Sequence, residues 1–484
     1  MGDKHKHQSL DLEHFDDHLQ RVASIIGDYV AHISDAPVVT QVPMETIKES
    51  LFEDIPMEGS PPDEVLDQVE RSFKSVCTRI GHPRFLAWIT TSPAPAGTIG
   101  ELLSVGFNQA PLLYKGSPPA TILEKVVLGW FAKMFGYPDT WGGTLVSGGT
   151  VANLMGMTVG RHTHAPEVAD KGMQSLEKPL TVYVSDQGHM SVYRSAMLLG
   201  IGHDNVRSVP TDEHCRMIPE ELQRMVQADR LAGMQPYCVV AQAGAVSTGS
   251  VDPLNAIADI CEDLNLWLHV DASYGGAAMI SEKLRPILSG IERADSIAVD
   301  PHKWFFIPLE CGITLFKNKK QQKETFIAKA VYLGQETDWD LKNTNFQLSR
   351  QGRALKLWFA FKTYGIKHLA EIVERNHEHA RLFYSLTQNS PNWETVCDVE
   401  LSMACARYIP DNCCDWSEAE LDNLQVAILS ELEKSGLGFM TPARICGKGV
   451  IRMCVANHRT TSDDITLLFN FMTEAGAKLA ALHA

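Results

Sequence analysis

From about Thr121 onward the chain alternates short apolar runs with stretches of helical spacing, and this alternation restricts the fold more than any other feature. Leu180–Tyr183, Tyr237–Ala241, Leu266–Val270 and Ser296–Val299 each read as a brief strand, followed by small or polar residues and then helical periodicity. Such a pattern builds a mostly parallel sheet with helices on both faces, and sheets of that kind take ligands at the carboxyl ends of their strands. The expected fold class is therefore α/β.

The two ends of the chain differ from this middle. Leu12, Phe15, Leu19, Val22, Ile26, Tyr29 and Val30 recur three or four residues apart, which predicts an amphipathic helix over 10–33 whose apolar stripe needs a covering surface. Pro43, Pro56, Pro61 and Pro62 then predict an extended connection. Toward the C-terminus a long helix over Ile366–Thr387 leads to strands near Ser402–Tyr408 and Gly449–Val455, and Thr461 to Asp464 reads as the cap of a closing helix. We expect three units: 1–95 as an N-terminal helical and extended segment, 96–360 as the large domain, and 361–484 as a small C-terminal domain.

Composition narrows the function classes. With 43 Lys and Arg against 59 Asp and Glu the formal charge is -16, which argues against a nucleic-acid partner. No apolar signal core follows Met1 to His7, and no uninterrupted apolar run looks long enough to span a bilayer, so no membrane partner is expected. Eleven cysteines lack metal-type spacing. They suit reduced thiols in a cytoplasmic protein with no metal site.

Four segments carry chemistry. Trp267 to Val270 is an apolar strand that delivers Asp271 to its carboxyl edge, followed by small residues where a flat group could lie; alone, Asp271 could equally cap the next helix. Ser296 to Val299 ends in Asp300-Pro301-His302-Lys303-Trp304, and a lysine after a buried strand beside tryptophan is desolvated and made more nucleophilic. Ser147-Gly148-Gly149-Thr150 opens a helix with free N–H groups that can meet a phosphate, although such openings are common. His189, in Asp186-Gln187-Gly188-His189, follows a strand and could stack on an aromatic group, though a lone histidine there is more often an ordinary core residue.

In the order phosphate loop, histidine, aspartate, lysine, these segments closely resemble the group II pyridoxal-phosphate (PLP) amino-acid decarboxylases. The resemblance extends from Gly81-His82-Pro83-Arg84-Phe85 to Leu355-Lys356-Leu357-Trp358, and more loosely to Ile451-Arg452-Met453-Cys454. It implies the PLP fold-type I (aspartate-aminotransferase-like) architecture, with a small C-terminal α/β domain, and a homodimer whose active site lies at the interface. By that resemblance Lys303 forms a Schiff base with PLP and Asp271 pairs with its ring nitrogen. His189 stacks on one ring face and Ser273 lies near the other. Gly148, Gly149, Thr150, Asp300 and His302 form the phosphate cradle. Tyr332 matches a loop tyrosine that returns a proton to the α-carbon once carbon dioxide has left, where aldehyde-forming relatives carry phenylalanine. The family commonly has threonine where Ala245 and Val246 stand.

The side-chain pocket maps onto Trp88, Ile89, Thr90 and Thr91, with Leu112 added by a partner subunit. This lining favours an aromatic amino acid, converted to its amine and carbon dioxide. Arg350 and Arg353 leave an acidic substrate open. An aldehyde-forming synthase on the same fold is a rival, and a non-catalytic binding subunit is a more remote one.

Overall fold

The computed structural model describes residues 10–327, 337–411 and 413–483. Its larger sheet has seven strands in the spatial order β1(Gly142–Val146), β7(Gly312–Phe316), β6(Ser296–Val299), β5(Trp267–Asp271), β4(Gln235–Gln242), β2(Leu180–Ser185) and β3(Val206–Val209). All neighbours pair in parallel except β7, which runs antiparallel to both β1 and β6. The carboxyl ends of β1, β2, β4, β5 and β6 therefore meet at one edge. The four strand candidates are β2, β4, β5 and β6; β6 has the expected ends, and the other three have ends moved by one or two residues. Nearly every residue in them is buried, because helices cover both faces and leave no side for alternation to water.

A second, antiparallel sheet in the order β10(Thr441–Ile445), β11(Lys448–Cys454), β9(Met403–Tyr408), β8(Trp393–Thr395) occupies the C-terminal part. Its Ala404, Ala406 and Met453 share one apolar cluster with Phe383, Ile428 and Leu468 from the helices Ile366–Gln388, Glu418–Ser435 and Ser462–His483. The closing helix starts as expected: the Thr461 hydroxyl accepts from the Asp464 N–H, and the Asp464 carboxylate accepts from the Thr461 N–H (3.0 Å). Over Ser462–Leu482 this helix is long and apolar enough by length and composition to cross a membrane, which differs from the expectation that no such run exists. Only Glu474 and Lys478 interrupt its later turns. Its Ile465, Leu468 and Met472 are fully buried against the small sheet, so that side faces protein.

The N-terminal segment corrects one expectation. Between α1(Phe15–Ala31) and Ser72 the chain is not simply extended but holds the eight-residue helices α2(Met44–Leu51) and α3(Pro62–Val69). Pro62 sits at the first helical position, where its missing N–H costs nothing, and Asp63 and Glu64 favour the positive end of the helix. Arg21 ties α1 to α3 through Asp63 (2.7 Å) and Asp67. No residue of α1 is buried in this chain. α4(Pro95–Phe107) and α5(Pro118–Met134) lead into β1 and begin with the same proline device.

One helix sets the geometry of the site. α6(Gly149–His164) lies unusually close to β5, because its facing positions carry no side chain. A Cβ on Gly156 would come 2.3 Å from His269 Nδ1, and one on Gly160 would come 2.6 Å from the Trp267 ring. Any larger residue would lift the helix off the sheet.

Candidate active site

The common carboxyl edge of the large sheet opens into a cavity of about 960 Å³. Each strand delivers its residue there by direct continuation. β1 runs into Ser147, Gly148 and Gly149 at the start of α6, β2 is followed by His189, β5 ends in Asp271 and Ser273, and β6 turns into Asp300, His302 and Lys303. Segments more than 150 residues apart in sequence (Gly148 and Lys303) thus share one wall.

Asp271 is buried and well supplied with donors. Asn153 Nδ2 donates to its Oδ2 (2.7 Å), and the Ser273 N–H donates to its Oδ1 (3.1 Å). Burial alone would raise this carboxyl, but the Lys303 charge and the hydrogen bonds of Ser273 and Asn153 outweigh it and hold the group below the usual carboxylate range. It is an ionised acceptor in a dry setting. Lys303 Nζ lies 3.0 Å from Asp300 Oδ2. Burial lowers both His189 and His302, so each imidazole is neutral near pH 7. His302 Nδ1 lies 2.6 Å from the Cys311 carbonyl oxygen, and its Nε2 is 3.9 Å from Asp300.

The phosphate end has the shape of a cradle. A Cβ on Gly149 would meet Asp300 Oδ2 and Ser273 Oγ at 2.7 Å, so only glycine leaves the space open. Ser273 Oγ and Asp300 Oδ1 are buried without hydrogen-bond partners among the described residues. Buried polar atoms are rarely left unpaired, and their convergence on this space fits a polar ligand group. Together with the free N–H groups at the start of α6, the arrangement suits a phosphorylated aromatic cofactor bearing a group that reacts with an amine.

Most of the expected site residues converge. Lys303, Asp271, His189, Ser273, Gly148, Gly149, Thr150, Asp300, His302, Trp88, Ile89 and Thr90 all line the cavity. Thr91 and Leu112 do not. The Thr91 hydroxyl is turned away to donate to the Ala456 carbonyl (2.7 Å), and Leu112 is bonded through its own carbonyl to the Leu341 N–H (2.9 Å). Tyr332 lies outside the described residues. Arg350 is withdrawn from the cavity by a buried two-point pair with Glu124 (2.6 and 2.7 Å), and Arg353 pairs with Glu310.

Asn153, Gln242 and Arg452 are among the cavity residues that were not anticipated. Asn153 stands four residues after Gly149, on the same face of α6, and that spacing could have marked it. Gln242 ends β4 beside Asp271. Arg452, on β11, donates to the Val246 carbonyl (2.7 and 3.0 Å), the Trp88 carbonyl (3.1 Å) and Thr441 (3.3 Å). It comes from the small domain, so no spacing near the other site residues could have located it.

Comparison with known proteins agrees with this geometry. Residues 44–409 match the family model described as the pyridoxal-dependent decarboxylase conserved domain. An aromatic-L-amino-acid decarboxylase of Bacillus atrophaeus is 33% identical over 92% of each chain. A phenylacetaldehyde synthase of Petunia hybrida is 30% identical, covering 95% of this chain and 94% of its own. A crystal structure of Oryza sativa TDC with PLP and tryptamine superposes with a TM-score of 0.91 at 26% identity, covering 98% of this chain and 99% of that one. A match along so much of its length places this chain in the pyridoxal-dependent decarboxylase family, as an amino-acid decarboxylase of PLP fold-type I whose cofactor is pyridoxal phosphate.

Proposed function

We propose that this chain decarboxylates an aromatic L-amino acid to the corresponding amine and carbon dioxide, with the cofactor held on Lys303. The observation that carries the substrate class is the mouth of the cavity. There Trp88 stands 52% exposed beside Phe85 and Phe439, at centroid distances of 5.8 and 5.3 Å. An open aromatic face of this kind offers edge or stacked contact to a substrate ring.

Each residue then has a role. Bound pyridoxal phosphate supplies the electron sink that accepts the pair left on the α-carbon when carbon dioxide departs. Lys303, whose amine faces the cavity, is the residue that would hold the cofactor covalently. Asp271, ionised and dry, would keep a proton on the ring nitrogen. His189 would cover one ring face and exclude water from it, and Ser273 would lie toward the other. Gly148, Gly149, Thr150, Asp300 and His302 would hold the phosphate, with the α6 N-terminus opposing its charge. Asp300 would border the phosphate end beside Lys303, its own N–H being committed to the Ser273 carbonyl (3.1 Å).

We infer further that a second copy of the chain completes the site. The exposed apolar residues Leu12, Phe15 and Leu19 before and on α1, and Ile99, Leu102 and Phe107 on α4, give it a surface to cover, and Leu112 reaches the pocket from that side. A cytosolic location suits the eleven unpaired cysteines. The unit boundaries 1–95, 96–360 and 361–484 accompany this reading.

Arg452 favours a second reading, an amino acid with an acidic side chain. It has no carboxylate partner among the described residues, and its five N–H donors exceed the acceptors it meets here. Initial rates separate the two readings. Tryptophan, tyrosine and phenylalanine should give kcat/KM at least tenfold above glutamate and aspartate, and the reverse order would transfer the assignment to the acidic class. Tyr332 separates amine from aldehyde formation: Tyr332→Phe should divert product toward aldehyde, and an unchanged product ratio would remove that role.

A further inference from the structure

Behind the cavity floor, seven side chains from four elements form an unbroken hydrogen-bonded chain that joins Asp271 and His189 through residues the roles above do not use. The Trp267 indole Nε1 donates to Ser296 Oγ (2.9 Å), which lies 2.8 Å from His269 Nδ1. His269 Nε2 is 2.9 Å from Asn153 Oδ1. Asn153 Nδ2 then forks, with one bond to Asp271 Oδ2 (2.7 Å) and one to Ser191 Oγ (2.8 Å). Ser191 in turn meets His189 Nδ1 through its hydroxyl (2.8 Å) and its backbone N–H (3.2 Å). Asn153, His269, Ser296 and Ser191 are essentially without solvent exposure.

The two ends of this chain fix the direction of every bond in it. An indole N–H can only donate, and an ionised carboxylate can only accept. Ser296 therefore accepts from Trp267 and gives its own proton to His269 Nδ1. His269, kept neutral by burial, which lowers it to about 4, carries its single proton on Nε2 and donates to Asn153 Oδ1. Both Asn153 amide protons are then directed to Asp271 and Ser191. The Ser191 hydroxyl proton goes to His189 Nδ1, which leaves the His189 proton on Nε2. The opposite assignment would turn the Asn153 carbonyl oxygen onto the Asp271 carboxylate at 2.7 Å, where two acceptors repel.

We propose that Asn153 is a positioning residue for this site: one carboxamide orients both the Asp271 carboxylate under the cofactor ring nitrogen and, through Ser191, the His189 imidazole over the ring face. The proposal rests on the roles given above to Asp271 and His189. It also explains why α6 carries Gly156, since that glycine is what lets His269 reach Asn153. Asn153 touches neither the substrate nor the reacting atoms in this account. Its effect is to fix which way two contacting residues face and where their protons lie.

Two measurements test it. In wild-type holoenzyme labelled with [15N]histidine, imidazole NMR should place the proton of both His269 and His189 on Nε2; a proton on Nδ1 of either would overturn the proposal, with no variant needed. In Asn153→Leu and Asn153→Asp, read with pyridoxal phosphate labelled with 15N in the ring, the nitrogen signal should move toward the unprotonated position. Cofactor affinity should fall about 10-fold or more, the cost expected for removing a hydrogen bond to a buried charge. A wild-type ring signal and affinity in both variants would contradict a positioning role, because mere packing survives in the isosteric Asn153→Asp. Asp271→Asn is the control for the reading beneath: if it too leaves the ring signal unchanged, the assignment of Asp271 fails and the proposal falls with it.

Discussion

The floor and the mouth of the cavity are built on opposite principles. At the floor, Asp271 receives two hydrogen bonds, and the side chains behind it are locked among themselves. At the mouth, Trp88 is half exposed with φ +50°, and Leu309 stands 63% exposed. Arg452, the strongest polar group there, holds mainly backbone carbonyls. The contrast teaches where each property of the enzyme resides. Groups that must face a reacting atom within a fraction of an ångström are over-determined by buried bonds, while groups that only choose a side chain are left room to adapt.

Variants at the floor should therefore lower kcat, and variants at the mouth should raise KM. The largest effect is expected for Lys303→Ala, with kcat reduced by about 10³- to 10⁴-fold, in the range typical of a lost nucleophile or proton-transfer group. Borohydride treatment followed by peptide mapping should label Lys303 in the wild type and nothing in the variant. Asp271→Asn should reduce kcat by about 10²- to 10³-fold, with a far smaller change in KM, as for other preorganised electrostatic contacts. Equal losses in kcat and KM would place Asp271 among the binding groups and blur the contrast.

At the mouth, Trp88→Ala should raise KM for an aromatic substrate by roughly 10-fold while kcat changes little, the size of an aromatic pair contact. Because Trp88 is 52% exposed, its removal should cost little stability. A kcat loss as large as that of Asp271→Asn would show that mouth and floor are one unit.

The smallest expected effect concerns acid stability. Burial lowers His82, His269 and His458 to about 4. A histidine whose folded pKa lies below its unfolded value of about 6.5 contributes stability that is complete above pH 6.5 and lost as pH falls toward 4. Burial also raises Asp252 to about 7 and Asp295 to about 6, and these act with the opposite sign, favouring the fold as pH falls. The three histidines outweigh the two carboxyls between pH 6.5 and 5, so Tm should drop by about 2–4 °C across that interval. A rise in Tm over the same interval would mean the buried carboxyls dominate.

Legibility in the sequence follows the same division. Asp271, Lys303, His189 and Gly149 were visible because each continues directly from a buried strand or opens a helix. In a parallel sheet, strand ends share an edge whatever their distance in sequence. The mouth was only half visible. Trp88, Ile89 and Thr90 line it, but Thr91 turns its hydroxyl to Ala456, since an irregular segment has no periodicity to say which residue faces inward. Arg452 joins the wall through the packing of two domains, a contact that no local pattern encodes. The helices at Met44–Leu51 and Pro62–Val69 were hidden by prolines that break a helix when inside it but start one when at its head.

The most direct test of the whole account is to incubate the holoenzyme with aromatic L-amino acids labelled with 13C at the carboxyl carbon and to identify the products by mass spectrometry. The account predicts labelled carbon dioxide and the corresponding arylalkylamine in equal amounts. Aldehyde in place of amine, or release of labelled carbon dioxide only from acidic amino acids, would contradict it.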